Sequence, residues 1–370
     1  MKVILYIGHH KVGSSALQVF LAQNAATLLR AGILYPCVEM QGFSQLLARV
    51  ALDGDNTRFL TANPREPHSA LAYQMMAEVS RRPIPPQFKM LPSSEQMLHA
   101  IRQQVAYLKP HTMVLCSEAF ANFGEVSPAL VTQLQTAFPN AEVQIYCALR
   151  RPDDYLTAWH GQRIKVGENL PPLRDVGLRP YLGTIHTDYR RVVQAWIDKI
   201  PDAQVHLRNY ADIRATGGSP EDFFARTDVT LPAGLISVGQ RNPSLPLAAM
   251  EIKRRANMEL PYGETEKLAQ HMQNKLGHIP ALLGDQIEMF GPGQRAKLQK
   301  IFTPVQEYLG ALTKQDAFFP DFEKIAQPRP VPELEAVGVY LAQIDAAEMP
   351  SEPLKRFIAA MQHSFGCSPA

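Results

Sequence analysis

The chain has 370 residues, of which 46% are hydrophobic and 19% charged. That balance excludes a disordered or fibrous chain and allows one large α/β domain with insertions or two smaller domains. A net charge of +2 is too even for a polyanion-binding protein, so nucleic acid is not an expected partner and any basic site must be local. Cys37, Cys116, Cys147 and Cys367 lack CxxC spacing, and no metal-ligand spacing joins cysteines to histidines. Cys116 and Cys147 lie in apolar runs and read as buried thiols.

Residues 2–8 read as a buried strand built on Val3-Ile4-Leu5-Tyr6-Ile7. The stretch before His9 is too short for a secretory core, and no apolar run reaches the roughly 18 residues of a membrane span. A cytoplasmic enzyme is the resulting expectation. Residues 15–30 carry Leu17, Phe20, Leu21, Ala25 and Leu28 at helical spacing, stopped by Gly32. Helices are predicted over 42–52 and 68–82. Pro83, Pro85, Pro86 and Pro92 mark an irregular connection, and a helix over 94–108 begins at Ser93 or Ser94.

A second strand over 112–116 ends at Ser117-Glu118, and a helix follows over 127–138. A third strand over 143–149 ends at Arg150-Arg151, with Pro152 at a helix start, a position proline tolerates. Residues 187–199 read as a helix and 204–208 as a fourth strand. Strands alternating with helices predict an α/β fold, a P-loop-like parallel β-sheet flanked by helices. The sheet signal fades near 230. Helices over 244–258, 264–277 and 292–310 form a helical C-terminal portion, Gln327-Pro328-Arg329-Pro330-Val331-Pro332 reads as a boundary, and a helix-like tail covers 333–346. The expected division is an α/β domain over 1–326, with helical insertions about 230–310, and a tail over 327–370.

Ligands of such sheets bind at the carboxyl ends of the strands, where Lys11, Glu118 and Arg150 all fall. The loop Gly8-His9-His10-Lys11-Val12-Gly13-Ser14-Ser15 joins the first strand to the first helix. That layout suits an anion: backbone N–H groups and a helix N-terminus point at it and a lysine neutralises it. A nucleotide-triphosphatase loop reads GxxxxGK[ST], with lysine after the second glycine. Here Ser14 follows Gly13 and the lysine stands two residues before it.

Lys11-Val12-Gly13-Ser14-Ser15-Ala16-Leu17 resembles the 5′-phosphosulfate loop of sulfotransferases that use 3′-phosphoadenosine 5′-phosphosulfate (PAPS), whose core is K-[ST]-G-[ST]-[ST]. Arg150-Arg151-Pro152-Asp153-Asp154-Tyr155-Leu156 resembles the family's 3′-phosphate motif. Cys116-Ser117-Glu118-Ala119-Phe120-Ala121-Asn122-Phe123 is similar to the F-E-K-S-A-N-Y-F segment of heparan N-deacetylase/N-sulfotransferases. Asn242-Pro243-Ser244-Leu245, and Asp188-Tyr189 through Trp196, are similar to bacterial members. The resemblance covers about 1–325. It departs at Ala158, where the family carries a serine eight residues after the arginine; Thr157 offers a hydroxyl one position earlier. Ala16 replaces the tryptophan of cytosolic small-molecule enzymes, placing the chain nearer the bacterial and carbohydrate branches. No clear match to the family's C-terminal R-K-G loop exists, and Arg241 is the candidate for its role.

The resemblance implies that Lys11, Val12, Gly13, Ser14, Ser15 and Ala16 hold the 5′-phosphosulfate and Arg150 the 3′-phosphate. Lys11 then serves the bridging oxygen, and Glu118 is the base, with His10 or His9 competing for that role. The competing readings are a lysine on a surface turn, an Arg150 paired with Asp153 or Asp154, and a Glu118 that orients Lys11. Trp159, His160 and Arg163 either line an acceptor cleft or form a partly buried face. Lys253-Arg254-Arg255 reads as a solvated helix face. The expected activity is transfer of a sulfuryl group from PAPS to a hydroxyl or amine of a glycan, lipid or small molecule, releasing 3′-phosphoadenosine 5′-phosphate (PAP), with no metal required. The alternatives are a kinase or NTPase on a variant loop, or a non-catalytic PAP(S)-binding relative.

Overall fold

The structure is a computed structural model, and it describes residues 1–52, 61–88, 90–237, 245–274 and 284–367. Strand β1 (Lys2–Tyr6) is buried from Val3 onward and leads through the loop into helix α1 (Ser14–Gln23). The helix predicted over 15–30 breaks at Asn24, and α2 (Ala25–Arg30) is separate. The cause is tertiary. Asn24 Nδ2 donates to Phe20 O at 2.9 Å and to Ile236 O at 3.0 Å, while Ile236 N donates to Asn24 Oδ1 at 2.7 Å. A short amide that finds partners outside the helix competes with the helical ladder.

Strand β2 (Ile33–Leu34) precedes α3 (Met40–Leu52), α4 (Ala62–Arg65) and α5 (Pro67–Ser80). Helix α6 (Ser94–Leu108) starts from a reciprocal capping box between Ser93 and Gln96. Then come β3 (Thr112–Cys116), α7 (Phe123–Val126), α8 (Ala129–Thr136), β4 (Glu142–Leu149) and α9 (Pro152–Lys165), which opens on the expected proline. Helix α10 (Arg190–Lys199) leads to β5 (Gln204–Asn209), α11 (Tyr210–Ala215) and α12 (Ser219–Arg226). The remainder is α13 (Leu247–Glu259), α14 (Tyr262–Asn274), β6 (Ile287–Glu288), α15 (Pro292–Thr313), β7 (Val331–Pro332), α16 (Glu333–Leu341) and α17 (Glu352–Ser364).

The chain forms two compact units, each drawn from separate stretches of sequence. The first comprises Met1–Arg151, Gly183–Arg241 and Glu307–Phe319. Its sheet has the order β2-β3-β1-β4-β5, and every pairing is parallel. This is the expected α/β class, a parallel sheet flanked by helices. Tyr6 is level with Cys116 on β3 and Tyr146 on β4, so β1 and β3 end side by side while β4 runs on to Leu149. Beneath them Ile4, Leu17, Leu21, Val114 and Phe223 form a dry core. Cys116 and Cys147 are buried, unbridged thiols.

The second unit comprises Pro152–Leu182, Asn242–Gln306 and Pro320–Ala370. Its sheet is the short parallel pair β6-β7, which takes in the end of the proline-rich stretch. Asp153 and Asp154 are engaged inside this unit. Asp153 lies 3.6 Å from buried Arg295, which also grips Glu288 at 2.7 Å, and Asp154 accepts from Arg329 at 2.6 Å.

Lys253-Arg254-Arg255 is not the solvated face its sequence suggests. Lys253 is buried and donates to Asn257, while Arg254 and Arg255 reach Glu251 at 2.7 and 2.9 Å. Arg174 adds a third guanidinium at 3.5 Å from Glu251 and also binds Glu333. Burial pushes the Glu251 carboxyl up, but the bonds from Arg254 and Arg255 outweigh it and hold its pKa at about 2. A folded pKa below the ordinary carboxylate value means that this stabilisation is present at neutral pH and is lost as pH falls through about 2. Glu251→Ala leaves three half-buried guanidiniums without their shared carboxylate and should destabilise the protein by about 1–3 kcal/mol. Urea unfolding at neutral pH measures this, and a loss under about 1 kcal/mol, ordinary for a surface change, would contradict it.

Candidate active site

The loop after β1 continues along β4. Ile7 N donates to Tyr146 O at 2.9 Å and His9 N to Ala148 O at 3.0 Å. Gly8 sits so close to that strand that an added Cβ would lie 2.8 Å from Ala148 N, so only glycine fits. The backbone then reverses through two left-handed residues, Lys11 at φ 61° and Gly13 at φ 88°. Lysine in that region is strained, a state that concentrates at functional sites. Gly13 is the N-cap of α1, and no side chain caps the helix. The first-turn N–H groups of Ser14 and Ser15 therefore suit an anion. Val12 is buried, Ser15 is exposed and Ala16 lies between the two.

The first residue of α12 braces the loop. Ser219 Oγ donates to Val12 O at 3.3 Å, and it would lie 2.0 Å from a Cβ on Gly13. Asp222, in the first turn of α12, accepts from Tyr146 Oη at 2.6 Å, Arg208 Nη2 at 2.6 Å and Thr216 Oγ1 at 3.1 Å. Strands β4 and β5 thus hold the brace in place.

Arg150 directly follows β4. Its carbonyl accepts from Tyr189 Oη at 2.7 Å, and its guanidinium lies over the Tyr210 ring at 5.4 Å. Among the described residues the guanidinium has no hydrogen-bond or ion-pair partner. Tyr210 Cε2 would lie 3.6 Å from a Cβ on Gly13, so this ring stands between the loop and Arg150. Sequence reasoning missed Tyr210. The available signal was an aromatic residue at the carboxyl end of the fourth strand.

Glu118 opens a short 3₁₀ turn whose N-cap is Ser117, with Ser117 Oγ accepting from Ala119 N at 3.0 Å. Its Oε2 accepts from Gln18 Nε2 at 3.0 Å, its Oε1 lies 3.7 Å from His10 Nδ1, and Ser14 also donates to it. Burial pushes this carboxyl up, yet His10 and the donated hydrogen bonds prevail and its pKa lies below the ordinary carboxylate value. Behind it, His68 Nδ1 accepts from Cys116 N at 3.1 Å, and Ser69 Oγ meets Ser117 Oγ at 2.9 Å. Strand β2 pairs only with the first two residues of β3, so His68 satisfies an amide that β2 leaves unpaired. Burial lowers the His68 pKa to about 3, which keeps its ring neutral and able to accept. His9, a competitor for the base role in the sequence, is fully buried edge-on to Tyr189 at 4.3 Å, and burial holds its pKa well below the ordinary value.

The structure thus gathers Lys11, Gly13, Ser14, His10, Glu118 and Arg150 along one sheet edge. Other candidates are used differently. Thr157 Oγ1 donates to Asp153 O of its own helix at 2.9 Å. His160 Nδ1 meets Tyr181 Oη at 2.9 Å, and Arg163 grips Glu168 at 2.6 Å. Arg241 and Asn242-Pro243-Ser244 lie outside the described residues. Among the described residues no group of three or more histidine, cysteine or acidic side chains is placed to hold a metal. None of their helices is long and apolar enough to cross a membrane.

Fold and site together define an α/β protein whose parallel sheet carries an uncapped helix N-terminus, an arginine and a histidine–glutamate pair at its carboxyl edge. No protein-family model matches the sequence, and no curated protein matches it. The crystal structure of a sulfotransferase from Alicyclobacillus acidocaldarius is similar at a TM-score of 0.39 and 16% identity, over 85% of this chain and 97% of that one. A likeness that distant carries no argument about this chain.

Proposed function

We propose that the chain is a PAPS-dependent sulfotransferase that moves a sulfuryl group to a hydroxyl or amine of a glycan, lipid or small-molecule acceptor and releases PAP. One observation carries the reading: the Arg150 guanidinium lacks a partner among the described residues and lies across Tyr210 from the left-handed Lys11–Gly13 loop. Two anion sites on neighbouring strands suit a nucleotide that carries phosphate at both its 3′ and 5′ positions. Arg150 offers a planar fork for a terminal phosphate.

When bound, PAPS supplies a sulfuryl group activated by its bond to phosphate. Lys11 neutralises charge where the leaving phosphate develops it, and the N–H groups at the start of α1 add fixed dipoles. Transfer forms the acceptor O–S or N–S bond as the S–O bond to the 5′-phosphate breaks. His10 takes the acceptor proton. Glu118, held ionised, is itself a poor proton acceptor, and it stabilises the imidazolium that His10 becomes.

Radiolabelled PAPS incubated with a panel of glycan, lipid and small-molecule acceptors tests this. Label should pass to an acceptor with PAP appearing in equal amount. Mg²⁺-dependent ATP turnover without any sulfuryl transfer would favour the nucleotide-triphosphatase reading instead.

A further inference from the structure

We propose that Gln18 is the positioning residue of this site, its carboxamide tying the Glu118 carboxylate to β3 and α5 and so fixing it against His10. The proposal deepens the sulfotransferase reading and rests on it for its kinetic arm. Gln18 lies one helical turn beyond Ser14 on α1, so both side chains share a face and both reach Glu118. It is 0% exposed. Its Nε2 lies 3.0 Å from Glu118 Oε2, 3.2 Å from Ser69 Oγ and 3.4 Å from Cys116 O. A carboxylate and a backbone carbonyl can only accept, so the nitrogen must face them and the amide cannot be reversed.

The opposite end of the amide supplies the second observation. Gln18 Oε1 is buried with no hydrogen-bond partner among the described residues. A buried acceptor left unsatisfied is costly, whereas an apolar side chain of the same volume would carry no such penalty. A residue kept for packing alone would be leucine or methionine. The half-satisfied glutamine makes sense if its nitrogen is what the site needs. It joins Glu118 to the hydroxyl pair Ser69–Ser117, which belongs to α5 and the end of β3.

Glu118 is faced by titratable groups on several elements: His10 from the loop, Glu66 before α5, Tyr73 on α5, Tyr35 after β2, Tyr6 on β1 and Cys116 on β3. Glu66 is the like charge, and Arg65 pairs with it at 2.6 Å. Because the folded pKa of Glu118 lies below its ordinary value, its ionised form contributes stability that is lost as pH falls through the folded value. Removing a donor should raise that value.

The test uses the full chain with Gln18→Met, Gln18→Glu and Glu118→Gln. Thermal unfolding is followed from about pH 2 to pH 8, so that the window runs below the depressed carboxylate value. The gap between wild type and Gln18→Met should be present at neutral pH, close as pH falls, and lose its pH dependence in the Glu118→Gln background. In labelled-PAPS transfer, kcat should fall about tenfold or more while KM for PAPS stays within about twofold, and the acid limb of the pH profile should move to higher pH. If Gln18→Met does not fold, Gln18→Glu places a second carboxylate beside Glu118 and should move the same limb further. A stability gap that is constant with pH, or unchanged by Glu118→Gln, assigns Gln18 to packing and overturns the proposal. Absence of transfer by the wild type overturns the sulfotransferase reading alone, because the unfolding readout does not depend on turnover.

Discussion

Lys11→Met loses sulfuryl transfer by roughly 10²–10³-fold, the loss that follows removal of one preorganised stabilising group from a desolvated site. Methionine keeps most of the apolar stem of lysine and removes the ammonium, with its charge and its donors. The backbone strain at φ 61° is the same in both proteins, and thermal unfolding separates lost chemistry from lost folding. The fall should lie in kcat, because the charge is needed most where the leaving phosphate develops its own. Initial rates with labelled PAPS, paired with thermal unfolding, measure it. Intact transfer in a folded variant would remove Lys11 from the mechanism.

Arg150→Ala weakens PAP binding by about ten- to hundredfold, the range for a lost hydrogen bond to a charged group. Binding of adenosine 5′-phosphate should change little, because that nucleotide has no 3′-phosphate for the arginine to hold. The side chain lies over Tyr210 and pairs with no carboxylate among the described residues, so its removal leaves no buried charge behind. Arg150→Lys should fall between the two, since it keeps the charge and loses the planar fork. Equal weakening of both nucleotides, measured by calorimetry, would mean that Arg150 contributes general charge and does not read the 3′-phosphate.

How much of this was legible in the sequence follows from how local each feature is. The loop from Gly8 to Ser15 is contiguous, and its strand–turn–helix context was plain from hydrophobic periodicity. The strand ends at Glu118 and Arg150 were readable for the same reason. Tyr210, Ser219 and Gln18 were not, because each matters through a partner far away in the chain. Ser219 braces Val12, and Gln18 reaches the far end of β3. Asn24 interrupts a helix for the sake of Ile236, a contact that no helical pattern encodes. The basic run at Lys253 misled because Glu251, its buried counter-charge, reads in sequence like any acidic residue on a helix.

The central claim is that one sheet edge binds a nucleotide with phosphate at both ends. Titration of the intact protein with PAP and with adenosine 5′-phosphate tests it most directly. The expected result is PAP binding at least about tenfold tighter, from charge-assisted bonds to the added phosphate. Equal affinity for the two nucleotides, or no binding of PAP, would contradict it.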